Sequence, residues 1–155
     1  MSDLSGRFRE VMAGVATPVA VVTSMGDGLP HGTTVSAFAS LSMDPPMVLV
    51  SLDRGSDLLA LVRETGRFGV NVLAAAHEDL ARLFASKKPE REKFAGIPHT
   101  VHDGIPVIEG ALAWVGCRLE RLIPGGDHTI GIGAVEAAEA GHGEPLLWFR
   151  GGYRT

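Results

Sequence analysis

The sequence predicts a mainly β fold: a closed antiparallel barrel with peripheral helices, built as one domain over residues 1–155. Short β-branched apolar runs recur along the chain, each bounded by glycine, proline or polar turn residues. They follow one another mostly as consecutive strands, and only two or three stretches carry helical spacing. A chain of 155 residues can bury roughly 70% of the surface exposed by its unfolded form, enough for a single core.

Residues 4–14 place Leu4, Phe8, Val11 and Met12 at helical spacing before Gly14, an apolar stripe read as packing surface. Residues 19–24 form a β-branched run, and Gly26-Asp27-Gly28 turns the chain into a second strand expected over 31–39. Asp44-Pro45-Pro46 interrupts it, and residues 47–52 resume as a third strand. Ser56 has the chemistry of an N-cap, Asp57 suits the first turn, and Leu58, Leu59, Leu61 and Val62 give a helix an apolar stripe up to Gly66. A strand at 68–73 and a helix at 77–86 follow. Charges and prolines over 87–102 predict an exposed loop able to hang over a ligand. Three more strands fit 111–122, 128–137 and 146–149.

The charge balance of 14 Lys and Arg against 18 Asp and Glu leaves −4, so no general attraction to nucleic acid or an anionic membrane is expected. The first ten residues contain no apolar run of the kind a signal peptide or membrane span needs, which points to the cytoplasm. Cys117 is the sole cysteine, which excludes an intrachain disulfide, a CxxC pair and a cysteine-ligated iron–sulfur cluster. Electron transfer would need a borrowed cofactor.

Gly131-Ile132-Gly133 begins like a dinucleotide fingerprint, but Glu136 stands where its third glycine belongs, and the surroundings are strand-like. Phosphate-loop, zincin and nucleophile-elbow motifs do not occur. His99 and His102 have no third ligand nearby in sequence, so no metal is expected. The informative stretch is 32–59, where Thr33, Thr34, Ser36, Ser40, Ser42, Ser51 and Ser56 are interleaved with apolar residues. Two neighbouring strands of this pattern can present hydroxyls on one side and core on the other. That suits a flat heteroaromatic ligand with a phosphate tail, and equally an ordinary Ser/Thr-rich sheet face.

The chain resembles the flavin reductase family of two-component monooxygenases from about residue 7 to residue 154. The resemblance rests on the 19–23 run, the 32–59 block, Phe68-Gly69-Val70-Asn71-Val72-Leu73, Leu80 to Phe84 with the following lysine and Phe94, Gly126-Asp127-His128-Thr129, and Trp148-Phe149-Arg150-Gly151-Gly152-Tyr153. Gly131 and Ala134 depart from the bulky apolar residue and the Glu often found there.

The resemblance implies an FMN-binding split β-barrel, assembled as a homodimer, that passes a hydride from NADH or NADPH to FMN or FAD. Reduced flavin would go to a separate oxygenase. By position, Thr34, Val35, Ser36, Ala37 and Phe38 would lie along the flavin ring, and Ser51, Leu52 and Asp53 along ring and ribityl chain. Ser56 and Asp57 would sit near phosphate, Asn71 would add an amide contact, and Ala85, Ser86 and Lys87 would close over the tail. His128 would serve the nicotinamide as the catalytic-site histidine, with Arg150, Gly151, Gly152 and Tyr153 approaching the same nucleotide. Two competing readings share the barrel: a flavin-binding or electron-transfer module without reductase activity, and an oxidase of an amine on a phosphorylated pyridine ring.

Overall fold

The computed structural model describes residues 3–155. Helix α1 (Asp3–Ala13) leads into strands β1 (Thr17–Pro18), β2 (Ala20–Gly26), β3 (Leu29–Val35), β4 (Phe38–Met43) and β5 (Pro46–Asp53). Next come α2 (Asp57–Thr65), β6 (Arg67–Val72), a 3-10 turn at Ala75–His77, α3 (Glu78–Ala85) and α4 (Glu90–Phe94). The chain ends with β7 (His99–His102), β8 (Ile105–Ile108), β9 (Ala113–Gly125), β10 (His128–Ala140), β11 (Leu147–Phe149) and β12 (Gly152–Arg154).

Seven strands form one antiparallel sheet in the order β3-β2-β6-β9-β10-β5-β4. Its two edge strands, β3 and β4, are consecutive in sequence and separated only by Ser36 and Ala37. Such a sheet must curl until its edges lie a two-residue step apart, because each residue spans only about 3.3–3.6 Å. The result is a barrel split between β3 and β4 rather than one closed by hydrogen bonds. This also corrects the single strand expected over 31–39. Alternation of side chains cannot reveal that the chain leaves one sheet edge and joins the other.

The barrel interior holds Ala20, Val22, Val50, Leu52, Phe68, Val70 and Cys117, and Leu58, Leu59 and Val62 of α2 plug it. Ser56 caps α2 by accepting the Leu59 N–H at 3.3 Å, and Gly66 ends the helix with φ 70. Gly133 belongs to this interior rather than to a nucleotide loop. A Cβ there would lie 2.5 Å from the Phe68 ring, a contact that only glycine avoids.

The outer face of β2 and β6 carries a second core of Val19, Val21, Leu73, Ala81, Phe84, Phe94, Ile108 and Leu146. It is covered by α3, α4 and β8, so 87–102 is not the expected open loop. Lys93 and Phe94 of α4 are both 6% exposed, and β7 pairs with β8. The stripe on α1 also behaves differently from expectation. Leu4, Phe8, Val11 and Met12 remain exposed, and no α1 residue is buried. Among the described residues no helix is long and apolar enough to cross a membrane.

Candidate active site

The end of β5 pairs with the start of β10, setting His128 opposite Asp53, Thr129 opposite Leu52 and Ile130 opposite Ser51. Arg54 secures this corner: its main-chain N–H donates to Asp127 O at 3.0 Å and its guanidinium to Gly126 O at 3.1 Å. Asp53 then turns the chain into α2, accepting from Gly55 N at 2.8 Å through Oδ1 and from Ser56 N at 3.0 Å through its carbonyl. On the other side, Ser51 N donates to Ala37 O at 2.9 Å, which binds the bridge between the barrel edges to β5. Local turns and one ladder therefore bring the Ser51–Asp53 segment, Ser56 and His128 to the split.

Three cavities meet there. One of about 250 Å³ is lined by Thr33, Thr34, Val35, Ser36, Ala37, Ser51, Leu52, Asp53, Ser56 and His128. A second of about 190 Å³ shares Thr34, Val35 and Ser36 and continues to Val19, Ala85, Trp148 and Tyr153. The third, about 670 Å³, lies under α1 and joins Ser36 to Phe8, Met12, Thr17, Asp127, Trp148 and Gly151. Ser36 lines all three, so they form a branched groove centred on the barrel split.

Nine of the residues expected at the flavin and nicotinamide thus line one cavity. Ala85 and Tyr153 line the second, and Gly151 the third. The Thr34 hydroxyl is already donated to Ala81 O at 2.6 Å, so toward a ligand it can only accept. Ser86 spends its hydroxyl proton on Leu83 O at 2.6 Å at the end of α3, and Lys87 is exposed beyond it. Asp57 is exposed on the first turn of α2. The Phe38 side chain packs against the inner core, and Phe38 lines none of the three cavities. Arg150, at φ 50, holds its guanidinium 5.0 Å from the Phe149 ring, and its N–H donates to Ala13 O. Gly152 pairs with Phe149 between β12 and β11.

Asn71 is a correction. Its side chain is fully buried on the outer face of β6, donating to Val21 O at 3.1 Å and Thr23 Oγ1 at 3.2 Å and accepting from Ile108 N at 2.9 Å. With both amide hydrogens given and its oxygen held by Ile108 N, it fastens β8 to the sheet, fully buried and lining none of the three cavities. Sequence reasoning also missed Trp148, Val19 and the inner face of α1. The Trp148 signal lay within the terminal motif. The others depend on how β1 and α1 fold back over the groove.

His128 Nδ1 lies 2.8 Å from Asp127 Oδ1. The carboxylate accepts, which places the ring proton on Nδ1 and leaves Nε2 as the ring's other polar atom. This hydrogen bond and the adjacent imidazole charge hold the Asp127 carboxyl below the usual carboxylate range. Burial pushes the Tyr153 phenol up, so it stays protonated; its ring meets Trp148 edge-on at 4.9 Å, with the Arg82 guanidinium 5.1 Å away.

The groove's donor set fits a flavin. Ser36, Ser51 and Ser56 supply hydroxyls, and Val19, Val35, Trp148 and Tyr153 supply apolar walls. The first turn of α2 has N–H groups without intrahelical partners, the usual complement of a phosphate. When bound, a flavin supplies N5 as a hydride acceptor, so the protein's work is to orient and to exclude water.

Fold and groove together define a split-barrel protein with an amphiphilic cleft for a planar cofactor. Residues 12–155 match the model of the flavin reductase like domain, and the chain belongs to this family of oxidoreductases. It is 39% identical over 150 residues to the reductase subunit HsaB of a flavin-dependent monooxygenase from Mycobacterium tuberculosis, covering 94% of this chain and 79% of that relative. It is 34% identical to an NADH-dependent flavin reductase from Rhodococcus, covering 96% and 84%. The NADH:FAD oxidoreductase SgcE6 of Streptomyces globisporus, solved in complex with NAD and FAD fragments, superimposes with a TM-score of 0.92 at 33% identity. That match covers 100% of this chain and 95% of the other. The enzyme is a flavin reductase.

Proposed function

We propose that this chain, a single domain over 1–155, works as a cytoplasmic homodimer that takes hydride from NADH or NADPH onto FMN or FAD and releases reduced flavin to a separate oxygenase. The observation that carries this reading is the three-way groove at Ser36: one arm carries the serine and helix-terminus donors, and another carries Asp127 beneath the uncovered face of α1. Flavin in the first arm leaves the Asp127 arm for the nicotinamide, and His128, on the wall of the first arm and hydrogen-bonded to Asp127, stands between the two. His128 then positions the donor ring, with Asp127 fixing its tautomer. A bound flavin would supply N5 as the hydride acceptor, chemistry that needs no protein base, so the contribution of His128 is orientation. The names of HsaB and the Rhodococcus enzyme support the oxygenase partner and the use of NADH.

Anaerobic stopped-flow mixing tests the proposal. FMN or FAD bleached by NADH or NADPH no faster than in a protein-free control would refute it. His128→Ala should slow reduction by about tenfold to a hundredfold, roughly 1.4 to 2.7 kcal/mol of transition-state stabilisation, with flavin affinity little changed. Loss of flavin binding instead would move His128 to the flavin side.

A further inference from the structure

The free edge of β3 is covered at one residue by an ion pair of a buried lysine and a half-buried glutamate. Glu90 Oε2 accepts the Gly32 N–H at 3.3 Å, and Lys93 Nζ donates to Gly32 O at 3.5 Å. The two side chains lie 3.5 Å apart on α4, with side-chain exposures of 18% and 7%. Lys93 also donates to Phe84 O at 3.4 Å, in the last turn of α3. The pair thus does for Gly32 what a neighbouring strand would do, satisfying both its main-chain groups, and it ties that edge to α3.

Two consequences reach the groove. In an antiparallel ladder the outward main-chain groups recur every second residue. Gly32 pairs with Thr23 and Thr34 with Val21, so the main chain of Thr34 faces the same way as that of Gly32, one step beyond the cover and at the cavity wall. Phe84 immediately precedes Ala85, which lines the second cavity. Lys93 therefore spans the two walls of that arm, β3 and the end of α3, and a second tie joins them at Thr34 Oγ1 and Ala81 O.

We propose that the Glu90–Lys93 pair is a positioning element of the flavin groove, setting the distance between the Thr34 edge and the α3 end that carries Ala85, Ser86 and Lys87. It touches no reactant. It rests on the assignment of the groove to flavin and on the expectation that Ala85, Ser86 and Lys87 close over the phosphate tail from the side opposite the α2 N-terminus, so its effect falls on that part of the ligand.

Lys93→Met alone strands the Glu90 carboxylate near a buried edge and would destabilise for that reason. The informative variant is the double Glu90→Gln, Lys93→Met, which removes both charges while keeping the volume. Melting temperature, and KM and kcat with FMN and with riboflavin, are measured beside wild type and Glu90→Gln, which keeps an acceptor oxygen for Gly32 N. The double variant should melt near wild type and raise KM for FMN by about tenfold or more, with kcat at saturating FMN and KM for riboflavin each within roughly threefold. Glu90→Gln leaves the Lys93 ammonium with only the Gly32 and Phe84 carbonyls, so it should melt below the double variant and also raise KM for FMN. An unchanged FMN KM in the double variant, or an equal rise for FMN and riboflavin, overturns the positioning role. If the wild-type protein reduces none of FMN, FAD and riboflavin, the flavin reading itself has failed. A double variant that does not fold transfers the decision to Glu90→Gln, whose FMN-to-riboflavin KM ratio must rise.

Discussion

Helices α1 and α2 have the same kind of apolar stripe, and the molecule uses them in opposite ways. In α2, Leu58, Leu59 and Val62 are 2 to 3% exposed inside the barrel. In α1, Leu4, Phe8 and Val11 are 73%, 62% and 65% exposed. Both border the groove, α2 through its capped N-terminus and α1 through the cavity beneath its Phe8 and Met12. Amphipathic spacing shows that a helix has a face to bury but not which surface will receive it. One stripe stabilises the chain on its own; the other stays uncovered on the protomer and is where the proposed homodimer would place its second copy.

Substitutions of equal severity should therefore separate the two helices. Leu59→Ala should cost about 2 to 5 kcal/mol in urea unfolding, the range for emptying a packed leucine site. Phe8→Ser should change the unfolding free energy of the isolated protomer by no more than about 0.5 kcal/mol while shifting sedimentation toward monomer. Equal losses of protomer stability would erase the distinction, and an unchanged sedimentation profile would leave the α1 face without a second copy.

A smaller effect is expected at the capped end of α2. Ser51→Ala with Ser56→Ala should weaken flavin binding by roughly tenfold to a hundredfold, about the worth of one hydrogen bond to a charged group. Lost capping should lower stability by about 1 kcal/mol. Flavin titration and melting curves read the two separately, and unchanged affinity would remove these serines from the site.

The smallest effect sharpens the contrast from within the core. Cys117 shares the interior with Leu58 and Leu59, and burial, with Glu136 nearby, pushes its thiol up to about 12 from an ordinary 9.0. At pH ~8 only about one folded molecule in ten thousand carries the thiolate. Alkylation should follow unfolding, becoming faster in Leu59→Ala and unchanged in Phe8→Ser. The raised value also gives a sign: this thiol's stabilisation is complete below pH 9 and is lost as pH rises toward 12, because the unfolded chain sheds the proton first. A stability slope above pH 9 should flatten in Cys117→Ala.

The limits of sequence reading follow the same line between local and distant causes. Ser56 and Gly66 marked both ends of α2 because caps act within a few residues. The hydroxyl block at 32–59 pointed to the groove because the ends of β3 and β5, and the bridge between β3 and β4, carry those side chains. Asn71 was misplaced for a reason of parity: neighbours Val70 and Asn71 face opposite sides of β6, and spacing alone does not say which side sees ligand. The five-residue α4 escaped notice because such a short helix is held by its contacts with β3 rather than by its own propensity.

The two-residue bridge at Ser36 and Ala37 has a consequence for how such a protein can change over generations. Both residues are exposed, and neither belongs to a strand. An insertion there would part β3 from β4 while leaving the inner core and the α2 plug with the same neighbours. Selection for a bulkier or slimmer cofactor could thus work on a surface segment, and selection for stability on the interior, with little conflict between them.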